Sequence, residues 1–255
     1  MSGGLEARLR SPLRQRADFS ELLAPGWTAL SPSDLARRPV YLEHDGAQPL
    51  GDLFDLTGQP GETLRFSGGL ELVDRLGAGL SQGMVIVEGS VGDEAGVGMS
   101  GGVLDIQGNA GARAGAALPG SKRGMLGGEL IVRGSAGPET GSFMRRGVLA
   151  VARRAGERTG LGMIAGTVIV VGAAGADSGL WSKRGSVVAL GGIVPPATYV
   201  YACTYRPIHL RVILGRLRAV YGLPIRRQHI TGQFSRFSGD FAELGKGEIL
   251  QWTAK

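Results

Sequence analysis

Gly147-Val148-Leu149-Ala150-Val151, Gly166-Thr167-Val168-Ile169-Val170-Val171 and Gly185-Ser186-Val187-Val188-Ala189-Leu190 stand 19 residues apart, and their reading decides the fold. The same block recurs upstream behind Gly83, Gly102 and Gly128, at steps of 19 and 26, with 19 more to Gly147. The long step holds a seven-residue insertion, Leu118 to Gly124. Further glycines keep phase inside the blocks: Gly92, Gly111, Gly137, Gly156 and Gly175, then Gly96, Gly115, Gly141, Gly160 and Gly179. The apolar runs are short, β-branched and alternating, so they read as strands with one face buried. Glycine supplies the corners, because it takes positive φ without steric cost. About 19 residues is too few for two packed helices with their turns and suits one turn of a β-solenoid. The expectation is an all-β-dominated chain built on a parallel β-helix. Six to seven coils at roughly 4.8 Å each make a prism about 30 Å long. Leu64-Arg65-Phe66 and Gly77-Ala78-Gly79 fit as an earlier, weaker coil.

Three segments follow from this: a lead-in and cap over 1–62, the repeats over 63–193, and a tail over 194–255 that covers the solenoid. In the lead-in, Leu5-Glu6-Ala7-Arg8-Leu9-Arg10 alternates as a strand does. Ser31-Pro32 should cap and open a short helix through Arg37. Gly51 to Gly58 reads as a strand leading into the first coil. Pro195-Pro196 stops the repeat, since proline cannot donate to a ladder. Pro207 to Tyr221 reads as a helix with Thr204 as candidate cap. Its stripe is Ile208, Val212, Ile213, Leu217 and Val220 or Tyr221, and Gly222 is its stop. A solenoid end exposes an unpaired strand edge, and the two flanking segments are the candidates to cover it.

Composition excludes several classes. Glycine is 45 of 255 residues but periodic, which argues against disorder. One cysteine, Cys203, cannot form an intrachain disulfide or supply a cysteine-ligated zinc or iron–sulfur site alone, and the chain is expected in the cytoplasm. No run approaches a membrane span and no apolar leader precedes Pro25, so no membrane partner is expected. A net charge of +6 favours an anionic partner or an acidic neighbour in an assembly.

Repetition generates chance motifs. Gly79-Leu80-Ser81-Gln82-Gly83 and Gly98-Met99-Ser100-Gly101-Gly102 satisfy G-x-S-x-G, but a nucleophile elbow needs a strand-to-helix turn and downstream partners. Gly96-Val97-Gly98-Met99-Ser100-Gly101 matches G-x-G-x-x-G with no helix to follow. His44, His209 and His229 have no ligand spacing and read as packed or surface residues. Cys203 lies in an apolar stretch, Tyr199 to Tyr205, where a buried thiol is common. No paired carboxylates or histidines share a coil edge, so no acid/base machinery is expected. Catalytic residues and metal ligands on this chain are therefore expected to be none.

The informative feature is basic and in phase. Arg145-Arg146 and Lys183-Arg184 precede Gly147 and Gly185 by the same offset, two coils apart. On a regular solenoid they fall on one edge about 10 Å apart, and Lys122-Arg123 in the insertion extends the stripe. Such a track suits a linear polyanion or an acidic neighbour. Solvated surface charge is the plain alternative. Aromatics do not interleave with these pairs, so nucleic acid is not the expected partner.

The G-x-x-G-x-x-x-G coils resemble the GXGXG domain of the large glutamate synthase subunit. With Leu50-Gly51-Asp52-Leu53-Phe54-Asp55-Leu56, Gly192-Ile193-Val194-Pro195-Pro196 and Ser238-Gly239-Asp240-Phe241 through Leu250, the chain more closely resembles the C subunit of formylmethanofuran dehydrogenase and of the related bacterial formyltransferase/hydrolase complex. This resemblance covers nearly the whole chain. It implies a right-handed β-helix and a non-catalytic scaffold. The partners it implies are an amidohydrolase-like A subunit, a B subunit and a formyltransferase D subunit. In the dehydrogenase, tungsten or molybdenum, iron–sulfur clusters and a dinuclear site lie in other subunits. The bacterial complex moves a formyl group from tetrahydromethanopterin to methanofuran and releases formate. The arginine-, alanine- and glycine-rich composition leans towards that bacterial form. Methanofurans of this family carry glutamate-rich tails, which gives Arg145, Arg146, Lys183, Arg184, Lys122 and Arg123 a candidate ligand besides an acidic neighbour. Two rivals remain. A left-handed hexapeptide acyltransferase would step by about 18 residues and carry a catalytic histidine on a coil edge. A free polyanion-binding solenoid, or a glutamate-synthase-like channel domain, would need no metal-binding partners.

Overall fold

Parallel pairing follows the 19-residue step. Val85 opposes Leu104, Leu104 opposes Leu130, then come Leu149, Val168, Val187 and finally Ile249, a column that is essentially inaccessible to solvent. The computed structural model describes residues 4–118 and 120–254. Residues 1–3 of the lead-in, Pro119 of the insertion and Lys255 of the tail lie outside the described residues.

The lead-in begins with β1 (Gly4–Leu9) and β2 (Ala17–Asp18). Then come α1 (Pro32–Ala36), β3 (Pro39–Leu42), β4 (Gly46–Pro49), α2 (Leu50–Leu53) and β5 (Phe54–Gly58). Ser31 caps α1 as expected: its hydroxyl accepts from the Asp34 amide at 3.1 Å, and the Asp34 carboxylate accepts from the Ser31 amide at 3.3 Å. The stretch Gly51–Gly58 is only half strand. Its first residues form the one-turn α2, and β5 pairs antiparallel with β1 rather than entering the first repeat.

The repeats supply β6 (Thr63–Ser67), β7 (Val73–Asp74), β8 (Met84–Glu88) and β9 (Ser100–Ile106). They continue with β10 (Gly127–Val132), β11 (Val148–Val151), β12 (Thr167–Val170) and β13 (Arg184–Ala189). The tail holds β14 (Val200–Tyr205), α3 (Ile208–Tyr221), α4 (Arg227–Thr231), β15 (Gln233–Gly239) and β16 (Lys246–Thr253). Sheets thus dominate. One of twelve strands runs β14-β15-β16-β13-β12-β11-β10-β9-β8-β6-β1-β5, and a small one runs β4-β3-β2-β7. Across the insertion Leu104 still meets Leu130, with a register shift between Gly127 and Glu129 absorbing the irregularity. A second parallel line joins Ala110, Ala136, Ala155 and Ala174 at the next corner. Both flanks add strands to the stack. β16 pairs parallel with β13 and β1 parallel with β6, and antiparallel β14, β15 and β5 finish the ends.

Glycine is required where backbones meet. Gly147 has φ +92°, and a Cβ there would lie 2.6 Å from the Gly128 carbonyl oxygen. At Gly137 the φ is ordinary but a Cβ would lie 2.7 Å from the Ala112 nitrogen. Glycine is not the only left-handed residue, however. Arg75, Glu94, Arg113, Glu139, Arg158 and Asp177, at one phase of successive repeats, all have φ between +55° and +61°.

The alternation expected of the strands holds at β6 and β8 and fails further on. In β10 to β13 three successive residues are buried. The cause is α3, which lies on the outer face of the sheet. Leu210, Leu214, Leu217 and Tyr221 pack on Ile131, Ala150, Ile169 and Val188. Arg216 and Tyr221 also hydrogen-bond Glu129 of β10. The helix therefore turns inward only part of the expected stripe: Leu217 and Tyr221 are buried and Ile213 is partly buried against the same cluster. Ile208, Val212 and Val220 are exposed, and Thr204 belongs to β14 while Pro207 occupies the cap position. Gly222, in left-handed conformation, ends the helix as expected. Cys203 is exposed on β14, correcting the expectation of a buried thiol, because β14 is an edge strand of the sheet. Among the described residues no helix is long and apolar enough to cross a membrane.

Candidate functional site

Backbone hydrogen bonds fix the basic residues on adjacent rungs. The Arg145 amide donates to the Met125 carbonyl, Ile164 to Met144 and Lys183 to Met163, each at 2.8 Å. The three methionines are fully buried beneath. Equivalent turns at 19-residue steps therefore stack the residues that donate to the methionine carbonyls. Arg145-Arg146, Ile164-Ala165 and Lys183-Arg184 succeed one another up this edge.

The six basic residues divide into neighbouring sets. Arg123, Arg145 and Arg146 line a shallow depression of about 290 Å³ with Leu126. Lys122 and Lys183 lie on a second groove of about 310 Å³, with Phe143, Gly162, Ile164, Trp181 and Glu243. Arg184 opens β13 and stands in register with Lys246 of β16, a cation that periodicity could not reveal. All six are exposed. Among the described residues, only Lys183 of the six approaches a carboxylate, Glu243, at 4.0 Å.

A second charged edge is internally compensated. Arg75 bonds Asp18 at 2.6 Å and Glu94 at 2.7 Å, and Glu94 bonds Arg113 at 3.0 Å. Arg113 then meets Glu139 at 3.2 Å, and Glu139 meets Arg158 at 3.2 Å. The hydrogen bond to Glu94, with the charges of Asp18 and Glu94, raises the Arg75 guanidinium above its ordinary value. Beside this column, Arg16 bonds Asp74 at 2.7 Å and Asp93 at 3.3 Å. Asp74 accepts from the Asp93 amide and Asp93 from the Ala112 amide, so each carboxylate also stitches one repeat to the next. Carboxylates do share a coil edge, contrary to expectation. Each is neutralised by arginine, an arrangement that holds repeats together rather than moving protons.

The chance motifs keep no catalytic context. Ser100 opens β9 and Ser81 lies in the turn before β8, so no helix follows either serine. His44 and His209 are exposed. His229 is buried edge-on against Trp252, 4.8 Å between ring centroids, and its Nδ1 accepts from the Arg226 amide at 3.2 Å. Burial, helped by the Arg226 charge, lowers its pKa. What this surface can do chemically is attract and hold anions beside apolar groups.

No protein-family model matches the chain. The C subunit of the formyltransferase/hydrolase complex Fhc of Methylorubrum extorquens is 34% identical over 85 residues, which is 33% of this chain and 32% of that protein's length. A crystal structure of the formyltransferase/hydrolase complex FhcABCD from Methylorubrum extorquens, with methylofuran bound, contains a chain similar over its whole length. The match covers 98% of this chain and 100% of that one, with a TM-score of 0.77 and 30% sequence identity. The chain belongs to the family of the C subunit of the formyltransferase/hydrolase complex.

Proposed function

We propose that this chain is the non-catalytic scaffold of a formyltransferase/hydrolase complex. That complex would pass a formyl group from tetrahydromethanopterin to methanofuran and release formate. Catalytic groups and metals would reside on partners: an amidohydrolase-like A subunit, a B subunit and a formyltransferase D subunit. The carrying observation is the end-to-end likeness to a chain of the FhcABCD assembly. On this reading the repeats over 63–193 form a right-handed parallel β-helix, with the lead-in over 1–62 and the tail over 194–255 closing it. The continuous parallel pairing from β6 to β13, at 19 residues per step except 21 from β6 to β8 and 26 across the insertion, supports the solenoid form.

The basic edge is the working surface of this scaffold. Arg145, Arg146, Lys183 and Arg184, with Lys122 and Arg123, would guide the glutamate-rich tail of methanofuran or dock an acidic neighbour. Their exposure and lack of ion-pair partners among the described residues, Lys183 apart, leave their charge available. Replacing Arg145, Arg146, Lys183 and Arg184 together by Ala tests this in the assembled complex. At low salt the variant should assemble poorly or show a raised apparent KM for methanofuran, and the defect should shrink as salt screens the wild type. Unchanged assembly and unchanged KM would dismiss the basic edge.

A further inference from the structure

At steps of 19, 19, 26, 19 and 19, one turn position of the repeats is occupied by Gly79, Gly98, Ala117, Phe143, Gly162 and Trp181. Gly79, Gly98, Phe143 and Gly162 donate their amides to equivalent carbonyls one repeat further on. Their φ angles are +66°, +65°, +57° and +62°, and Trp181 follows at +59°. Glycine takes this conformation freely, whereas Phe143 and Trp181 are sterically strained in it. The strain is not repaid by core packing at Trp181, which is 53% exposed. Phe143 lies across Gly162, where a Cβ would sit 2.7 Å from the ring. A side chain at 162 would therefore run into the Phe143 ring.

The tryptophan is also held firmly. Asp240 is fully buried, and one carboxylate oxygen accepts from the Trp181 amide at 2.8 Å while the other accepts from Ala242 at 2.8 Å. The loop that carries Asp240 exposes Phe241 and Leu244 beside it. Around the groove cations outnumber acids: Glu243 stands 4.0 Å from Lys183, and Arg123, Arg145 and Arg146 line a further depression. Lys122 and Lys183 stand on its rim.

We propose that the groove between Phe143 and Trp181 is a socket for an acidic segment of a partner polypeptide, which lays an apolar side chain on the Trp181 indole and carboxylates against Lys122 and Lys183. This rests on the reading of the chain as part of a larger complex. Strained residues kept at a surface point to function, and tryptophan is among the residues that dominate protein interfaces. Charge complementarity selects an acidic occupant. A bare glutamate chain would satisfy the lysines but bring no apolar group to cover the indole, so a partner polypeptide fits better.

Trp181→Gly separates the interface from the fold, because glycine suits φ +59°. The isolated variant should melt at or above the wild-type temperature. In the complex, captured through another subunit and diluted for native mass spectrometry, it should dissociate about tenfold more readily or worse, at low and high salt alike. Phe143→Gly should act in the same direction. Lys122→Ala with Lys183→Ala should loosen the complex at low salt only. A Trp181→Gly complex as tight as wild type overturns the socket and leaves the reading of the chain as a scaffold intact. If wild-type chain is retained by no partner, both fall. If the variant complex holds but binds an oligoglutamate peptide more weakly, the occupant is a glutamate chain and the proposal is wrong.

Discussion

Glu94 bridges Arg75 and Arg113 with only 16% of its side chain exposed, while each arginine is about one-third exposed. Removing it takes one carboxylate from each of two guanidinium groups two repeats apart, which keep Asp18 and Glu139. Glu94→Ala should cost about 1–2 kcal/mol in chemical denaturation, between exposed and buried ion pairs. Glu94→Gly should cost less, because glycine relieves the left-handed backbone at φ +61°. His229 gives a pH signature. Its pKa is lowered in the folded chain, first by burial. Above the unfolded value of about 6.5 both states are neutral and its contribution is complete. As pH falls through that value towards the folded one, the unfolded chain binds the proton first and stability is lost. The melting temperature should drop from about pH 7.5 to about pH 5, and less so in His229→Gln. At this scale the alternation Arg75, Glu94, Arg113, Glu139, Arg158, Asp177 was written openly in the sequence, at a fixed phase midway between two glycine series. It escapes notice when turns are sought only through glycine. The Asp240 contact with Trp181 had no such trace, because 59 residues and no period separate the two.

The strands were the most legible elements. Each apolar run from Leu64-Arg65-Phe66 to Val187-Val188-Ala189-Leu190 became a rung, because β-branched runs bounded by glycine allow little else. The helix existed where expected, but its inward face was only partly the expected one, since Leu217 and Tyr221 are buried and Ile208 and Val212 are not. Residues 208–221 carry two apolar stripes. The leucine stripe packs on the sheet while Ile208 and Val212 face out, a choice made by the partner surface rather than by periodicity. Leu214→Ala, at the centre of that contact, should cost about 2–5 kcal/mol in denaturation midpoint analysis. Val212→Ala on the opposite face should cost little. The outer burial of Ile131, Ala150, Ile169 and Val188 was equally invisible, since small and branched residues suit both a solvent-facing strand and one under a helix.

At the scale of the molecule, the two long edges have different electrostatic designs. One neutralises itself through the Arg75 to Arg158 column, and the other presents cations and aromatic surface with almost no compensation. The division suits a scaffold that is internally tied along one side and receives acidic neighbours along the other. The basic edge was readable from phase, whereas Lys246 and the Phe143–Trp181 groove required the folded register. Native mass spectrometry of the assembly captured through a tag on this chain tests the scaffold reading most directly. It should return one particle in which this polypeptide is joined by A, B and D subunits. Recovery of this polypeptide only by itself, under conditions that preserve assemblies, would contradict it.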